Sequence, residues 1–238
     1  MSGAGDSVRA PRGEARAVLF DFGGVLTSSV LRGFADASEQ LTRRAQGGPD
    51  RGLLLRLLGH EPRAKAALVD HEEGRLDDED FEAVLAASLA EAGVAVPAAG
   101  LIPLLQTHLR PDQDSVALVH DVRALGVPVG LVSNSFGRDC YAGFDLDALF
   151  DARAISGVEG VRKPSRRLYE IGCERLGVDP AHAVMVDDLA QNVEAAARLG
   201  MGGVVHRDAT TTREALGLLL GRDLTPVDSP TTPGPARR

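Results

Sequence analysis

The 238-residue chain has no tryptophan, and aromatic residues make up only 4% of it. Surfaces that hold nucleic-acid bases or sugar rings by stacking need more aromatic area than that. Cysteine is scarce too. Cys140 and Cys173 are the only two, without metal-ligand spacing, so free thiols in a reducing compartment are expected rather than a disulfide. No apolar run approaches the length of a membrane span, and the N-terminal residues lack the apolar segment of a secretory signal, so a cytoplasmic location is expected. Positive charge is in deficit: 26 Lys and Arg face 34 Asp and Glu, for a formal net charge of -8. Such a surface repels a phosphate backbone and anionic lipid alike, so neither nucleic acid nor membrane is an expected partner. An anionic small molecule would need a locally positive pocket. Lysine is the rarer cation, present only as Lys65 and Lys163.

Apolar residues account for 44% of the chain and charged residues for 25%, which suits a packed globular core. The length fits one α/β domain, alone or with a smaller module. Residues 1–14 and 223–238 are rich in small residues, or in Pro and Thr, and lack periodicity; both are expected to be disordered tails.

Ala17-Val18-Leu19-Phe20 is a short, continuously apolar run that ends at Asp21 and, after Phe22, the pair Gly23-Gly24. It reads as a strand of a parallel sheet covered on both faces. Residues 29–111 read as helical. Phe81, Val84, Leu85, Ser88 and Leu89 follow helical spacing, and Gly93 is placed to end that helix. Beyond Pro111 the pattern alternates: a helix near 113–125, a strand through Val132-Ser133-Asn134, a weaker strand at 152–156 and a helix opened by Pro164. A strand ending at Asp187-Asp188, a helix at 190–199, a strand at 203–206 and a last helix at 212–220 follow. Strands alternating with helices imply a parallel sheet with right-handed crossovers. The expected fold is therefore α/β, a Rossmann-like parallel sheet core (residues 15–28 and 112–222) with an inserted α-helical cap (residues 29–111).

Asp21, Ser133, Lys163 and Asp187-Asp188 all fall at or just beyond strand ends, and in a doubly wound sheet these positions converge on one crevice. Acids, a hydroxyl and a cation together can hold a divalent metal and a phosphoryl group. Alone, each has a plainer reading: Asp21 or Asp188 as a helix cap, Ser133-Asn134 as turn chemistry, Lys163 as a solvated charge.

Taken together, the segments resemble the four motifs of the haloacid dehalogenase-like hydrolases. The first is Val18-Leu19-Phe20-Asp21-Phe22-Gly23-Gly24-Val25-Leu26-Thr27, the second Val132-Ser133-Asn134, the third Arg162-Lys163-Pro164, and the fourth Met185-Val186-Asp187-Asp188 with Asn192. Their order and spacing resemble the subgroup whose helical cap lies between the first two motifs. The resemblance implies a magnesium-dependent phosphatase acting on a small phosphorylated metabolite such as a sugar phosphate, as a monomer or homodimer. Asp21 would be the nucleophile, and Lys163 would neutralise charge beside it. Ser133 and Asn134 would bind substrate. Mg2+ would be held by Asp21, the carbonyl of Gly23, Asp187 and Asp188.

The chain departs from the family's pattern at Gly23, where phosphatases usually carry an Asp that protonates the leaving group. General acid catalysis is typically worth ~10²–10⁴-fold. Substitutes within the insert are His60, His71, Glu72 and Glu73, each of which alone would read as a surface group. Two other readings stay open. A metal-independent 2-haloacid dehalogenase also manages without that Asp, although three crowded carboxylates ask for a cation. A non-catalytic phosphate-binding regulatory module would fit a chain that had lost turnover.

Overall fold

The computed structural model describes residues 8–43 and 48–224. Its sheet is assembled from β1 (Val8–Arg9), β2 (Ala17–Phe20), β3 (Val129–Ser133), β4 (Ala152–Ile155), β5 (Ala183–Asp187) and β6 (Gly202–Val205). The strand order is β1-β6-β5-β2-β3-β4, with every pair parallel except the antiparallel β1 and β6. β2 is central. The chain leaves it toward β3 and β4 on one side and later returns to β5 and β6 on the other. The crevice at the carboxyl end of β2 therefore lies where the order reverses.

The helices follow from capping and patterning. Between β2 and β3 the chain forms α1 (Val30–Thr42), α2 (Leu53–His60), α3 (Pro62–Glu72), α4 (Asp78–Glu91), α5 (Leu101–Thr107) and α6 (Gln113–Ala124). The later ones are α7 (Leu146–Leu149), α8 (Ser156–Glu159), α9 (Arg166–Leu176), α10 (Ala190–Ala197) and α11 (Ala209–Leu220). Asp77 caps α4 by accepting from Asp80 N at 2.8 Å, and the acids of the first turn suit the helix dipole there. In α4, Phe81, Leu85, Ser88 and Leu89 are buried as their spacing predicts, Val84 is half-buried, and Glu82, off that pattern, is buried as well. That carboxylate accepts from Gly100 N and from Ile102 N at 2.8 Å, satisfying the open end of α5.

Side chains alternate along the strands. Val18 and Phe20 pack with Leu118, Val122 and Leu216 of α6 and α11; Leu19 faces the other way, with Leu168, Ile171 and Ala196 of α9 and α10. The insert of α1 to α5 has a separate core that includes Phe34, Leu54, Phe81, Leu85 and Leu105. Chain entry and exit pair with each other: Ser28 N donates to Arg110 O at 2.7 Å, Asp112 N to Leu26 O at 2.8 Å, and Thr27 bridges Pro111.

Three expectations change. The N-terminal tail does not run to residue 14. Val8–Arg9 adds to the sheet edge through backbone pairing that needs no apolar run, and Arg12 N donates to Gly200 O at 3.0 Å. Residues 1–7 lie outside the described residues. At the other end Leu224 is buried in the core, so the tail expected from 223 begins later, and residues 225–238 lie outside the description. Pro164 does not open its helix: the Lys163-Pro164 peptide is cis, and α9 begins after Ser165.

Candidate active site

Asp21 follows the last residue of β2, which is hydrogen-bonded to both neighbours, so the position of its backbone is fixed by three strands. Its Oδ1 accepts from Phe22 N at 2.7 Å and lies 2.5 Å from Lys163 Nζ. Oδ2 takes neither contact. Lys163 Nζ also donates to Asp187 Oδ2 at 2.8 Å, so one ammonium that is 2% exposed is shared by two carboxylates.

Asp187 ends β5 and is held from several sides. Leu189 N donates to Oδ1 at 2.9 Å, and Asn192 Nδ2 reaches both oxygens at 3.0 and 3.1 Å. Tyr169 in turn donates its hydroxyl to Asn192 O at 3.0 Å. Asn192 thus stands behind Asp187 and orients it. Asp188 sits over the loop that follows Asp21. A Cβ on Gly24 would come within 2.3 Å of its carboxylate, and the φ of +80° at Gly24 already excludes most other residues.

Oxygen atoms of Asp21, Asp187 and Asp188 lie within 4.8 Å of one another. Three carboxylates around one ammonium are electrostatically unbalanced. Asp21 is raised to about 8: burial raises it most, Lys163 pulls it down and Asp187 pushes it up. Burial and then Asp187 raise Asp188 to about 6. Burial alone would lower Lys163, but Asp187 and Asp21 outweigh it and raise its pKa. A hard divalent cation is what this donor set fits: all ligands are oxygens, and the added charge would offset the crowding.

Ser133, the last residue of β3, is 1% exposed, and Tyr141 donates its hydroxyl to Ser133 Oγ at 2.9 Å. The Asn134 side chain is turned onto the lysine's backbone. Its Oδ1 accepts from Lys163 N at 2.7 Å, and its Nδ2 donates to Lys163 O at 3.3 Å. Gly23 follows Asp21 by two residues, and a Cβ there would press on a Val30 methyl at 2.9 Å. All the positions expected from sequence therefore gather at one end of the sheet. Tyr141 was not among them. It lies in no motif, and only the fold brings its ring to Phe22, at 4.7 Å between ring centroids.

The insert closes against this end of the core along a mostly polar seam. Gln106 of α5 donates to Phe136 O at 2.8 Å, and Asp78 accepts from Arg138 N at 3.2 Å. Phe136 reaches into the insert, 5.4 Å from Phe34 and 5.8 Å from Phe81 between ring centroids. Of the four insert residues considered as acids, His71 is buried, stacked on Phe81 at 4.5 Å, with Nε2 2.9 Å from Asp78. His60 is exposed at the end of α2, and Glu73 pairs with Arg75. Glu72 alone meets the motif residues: Oε2 lies 2.7 Å from Arg162 Nε and 3.5 Å from Asn134 Nδ2. Among the described residues no helix is long and apolar enough to cross a membrane.

The acyl-CoA dehydrogenase family member 10 of Mus musculus is 30% identical over 216 residues, 86% of this chain but only 19% of that protein's length. A sesquiterpene phosphatase of Aspergillus oryzae is 30% identical over 63% of this chain and 77% of its own. The validoxylamine A 7'-phosphate phosphatase of Streptomyces hygroscopicus subsp. limoneus is 27% identical over 90% and 97%. Among solved structures, a HAD-like family hydrolase from Porphyromonas gingivalis superposes with a TM-score of 0.64 at 20% identity, covering 87% of this chain and 98% of that one. A HAD family enzyme from Bacteroides thetaiotaomicron, in complex with magnesium and inorganic phosphate, gives 0.56 at 18% identity over 81% and 94%. The L-2-haloacid dehalogenase of Xanthobacter autotrophicus gives 0.57 at 23% identity over 79% and 76%. A family model for haloacid dehalogenase-like hydrolase matches residues 15–200. The chain belongs to the haloacid dehalogenase-like hydrolases.

Proposed function

We propose that this hydrolase is a magnesium-dependent phosphatase of small phosphorylated metabolites and that Asp21 is its nucleophile. The observation that carries the reading is Lys163, buried and shared by Asp21 and Asp187, with Asp188 completing a cluster of three carboxylates. Two of the relatives are named as phosphatases, and a structural neighbour was crystallised with magnesium and inorganic phosphate.

Asp21, the carbonyl of Gly23, Asp187 and Asp188 would hold Mg2+, which when bound supplies positive charge to the phosphoryl oxygens. Asp21 attacks phosphorus, the bond to the leaving oxygen breaks, and an aspartyl-phosphate forms; water then cleaves it and restores the carboxylate. Lys163 steadies negative charge on Asp21 and on the transferring group. Ser133 Oγ and the backbone N–H of Asn134 donate to phosphoryl oxygens, while the Asn134 side chain fixes Lys163. The insert, residues 29–111, acts as a cap that excludes water and contacts the part of the substrate beyond its phosphate.

A metal-free dehalogenase would not need three carboxylates gathered around one ammonium. The test is phosphate release from a panel of phosphorylated metabolites and aryl phosphates. Release should require magnesium, stop with a chelator and fall by at least ~10³-fold in Asp21→Asn, as nucleophile deletions do. Calcium should substitute poorly, because its looser coordination misplaces the phosphoryl group. Chloride release from chloroacetate in metal-free buffer, with no ester hydrolysed, would overturn the proposal.

A further inference from the structure

We propose that Glu72, supplied by the insert, is the proton donor that position 23 lacks; this inference rests on the phosphatase reading above. In an in-line displacement the leaving oxygen lies across phosphorus from the nucleophile. Asp21 is rooted in the sheet, so the far side of the phosphoryl group faces what covers the crevice. At that edge the insert contributes the C-terminal turn of α3, and Glu72 is its last residue.

The turn is seated by contacts that the carboxyl group does not make. Glu72 O accepts from Ser156 Oγ at 2.5 Å and from Ser135 Oγ at 3.4 Å. Gly74 lies so close to α8 that a Cβ there would come within 2.4 Å of Gly157 O. The side chain is thereby left to a separate task. Its side chain is 13% exposed, and its Oε2 lies beside Arg162 and Asn134, the residues that flank and fix Lys163. Arg162 Nε is 2.7 Å away in an ion pair that lacks hydrogen-bond alignment.

Burial gives this carboxyl group a usable proton. Burial raises Glu72 to about 7, against the pull of Arg162 and then Lys163, and Glu73 adds to the rise. An acid near the working pH is best matched to proton transfer. The step balances. As Asp21 bonds to phosphorus and the ester P–O bond breaks, the Glu72 proton passes to the leaving oxygen and releases an alcohol. The Glu72 carboxylate then takes a proton from the water that attacks the aspartyl-phosphate, which ends the cycle with phosphate released and both acids restored.

The experiment is single-turnover hydrolysis, with magnesium, of aryl and alkyl phosphates graded by leaving-group pKa. It compares wild type, Glu72→Gln, Gly23→Asp and the double variant. The wild type should depend weakly on the leaving group. E72Q should lose about 10²-fold or more on alkyl phosphates and roughly tenfold or less on 4-nitrophenyl phosphate, the spread expected for a missing general acid. The double variant should recover the weak dependence, because Asp at 23 needs only a Val30 methyl to shift. A uniform loss across the series, or none, would overturn the role of Glu72 and leave the phosphatase reading intact. A steep wild-type series would overturn it without any variant, so a poorly folding E72Q does not shelter it. A wild type that releases phosphate from no ester would overturn both.

Discussion

The carboxyl end of the sheet and the helical insert solve opposite problems. The sheet end concentrates charge. Asp21, Lys163 and Asp187 are all buried, and each is fixed by strand pairing or by hydrogen bonds at 2.5–3.1 Å. The insert concentrates apolar surface: its core is distinct from the two that cover the sheet, and it meets the catalytic end through a mostly polar seam. A polar seam is far weaker per unit area than an apolar core, since exposed ion pairs contribute only about 0–1 kcal/mol each. On the function proposed above, rigidity is placed where the chemistry needs fixed geometry, and a weaker joint where substrate would enter. Substitutions on each side, and on the seam between, can break that division.

The largest effect is expected at the sheet end. Lys163→Met would leave buried carboxylates without their shared cation. Removing one partner of a buried ion pair typically costs about 3–5 kcal/mol. Chemical denaturation in chelator-treated buffer should show a loss of that size, with phosphate release abolished. Hydrogen exchange should report it first in β2 and β5. A stable K163M would mean that the crowded carboxylates are relieved in some other way.

The insert should answer separately. Leu85 is fully buried in its core, and Leu→Ala changes at such sites cost about 2–5 kcal/mol. If the division holds, L85A should raise hydrogen exchange through α3 and α4 while β2, β3 and β5 keep their protection, as independent cooperative units do. Equal loss of protection in the sheet would show that insert and core unfold as one, and the proposed separation would fail.

The same division decides what could be read from sequence. Asp21, Ser133, Lys163 and Asp187 were legible because each follows or ends a short apolar strand or lies in a recognisable motif, and a parallel sheet gathers strand ends whatever their distance along the chain. The separate helical insert was legible from helical spacing, as at Phe81, Leu85 and Leu89. What escaped depends on contacts that carry no local pattern. Val8–Arg9 joins the edge through backbone hydrogen bonds, which any sequence can make. Tyr141 reaches Ser133 from an irregular loop. Pro164 suggested a helix start, but the backbone of Lys163, held by Asn134, delays α9 to Arg166. Among four plausible insert acids, only the docking of α3 distinguishes Glu72, and docking is a tertiary fact.

The smallest effect belongs to the seam, and its sign follows from linkage. The Glu72 carboxyl group is raised from 4.5 to about 7 in the folded chain, first by burial. Below its ordinary pKa it is protonated in both states, so burial of the charge costs nothing. As pH rises from there toward 7, the unfolded chain releases this proton while the folded chain retains it. The folded state therefore loses stability across that interval, and the loss levels off above the folded value. At 1.36 kcal/mol per pKa unit the full span comes to about 1–3 kcal/mol, given the partial exposure of the side chain. Glu72→Gln cannot titrate. Its stability relative to wild type should rise between pH 4.5 and 8 by that amount, whatever constant offset the amide introduces. Urea denaturation of both proteins at several pH values, under chelator, measures the difference directly. Titration of Asp21 and Asp188 is common to both proteins and drops out of the comparison. A difference that stays flat with pH would mean that Arg162 holds the carboxylate fully charged. Glu72 would then be a fixed strut of the joint rather than a group with a proton to give.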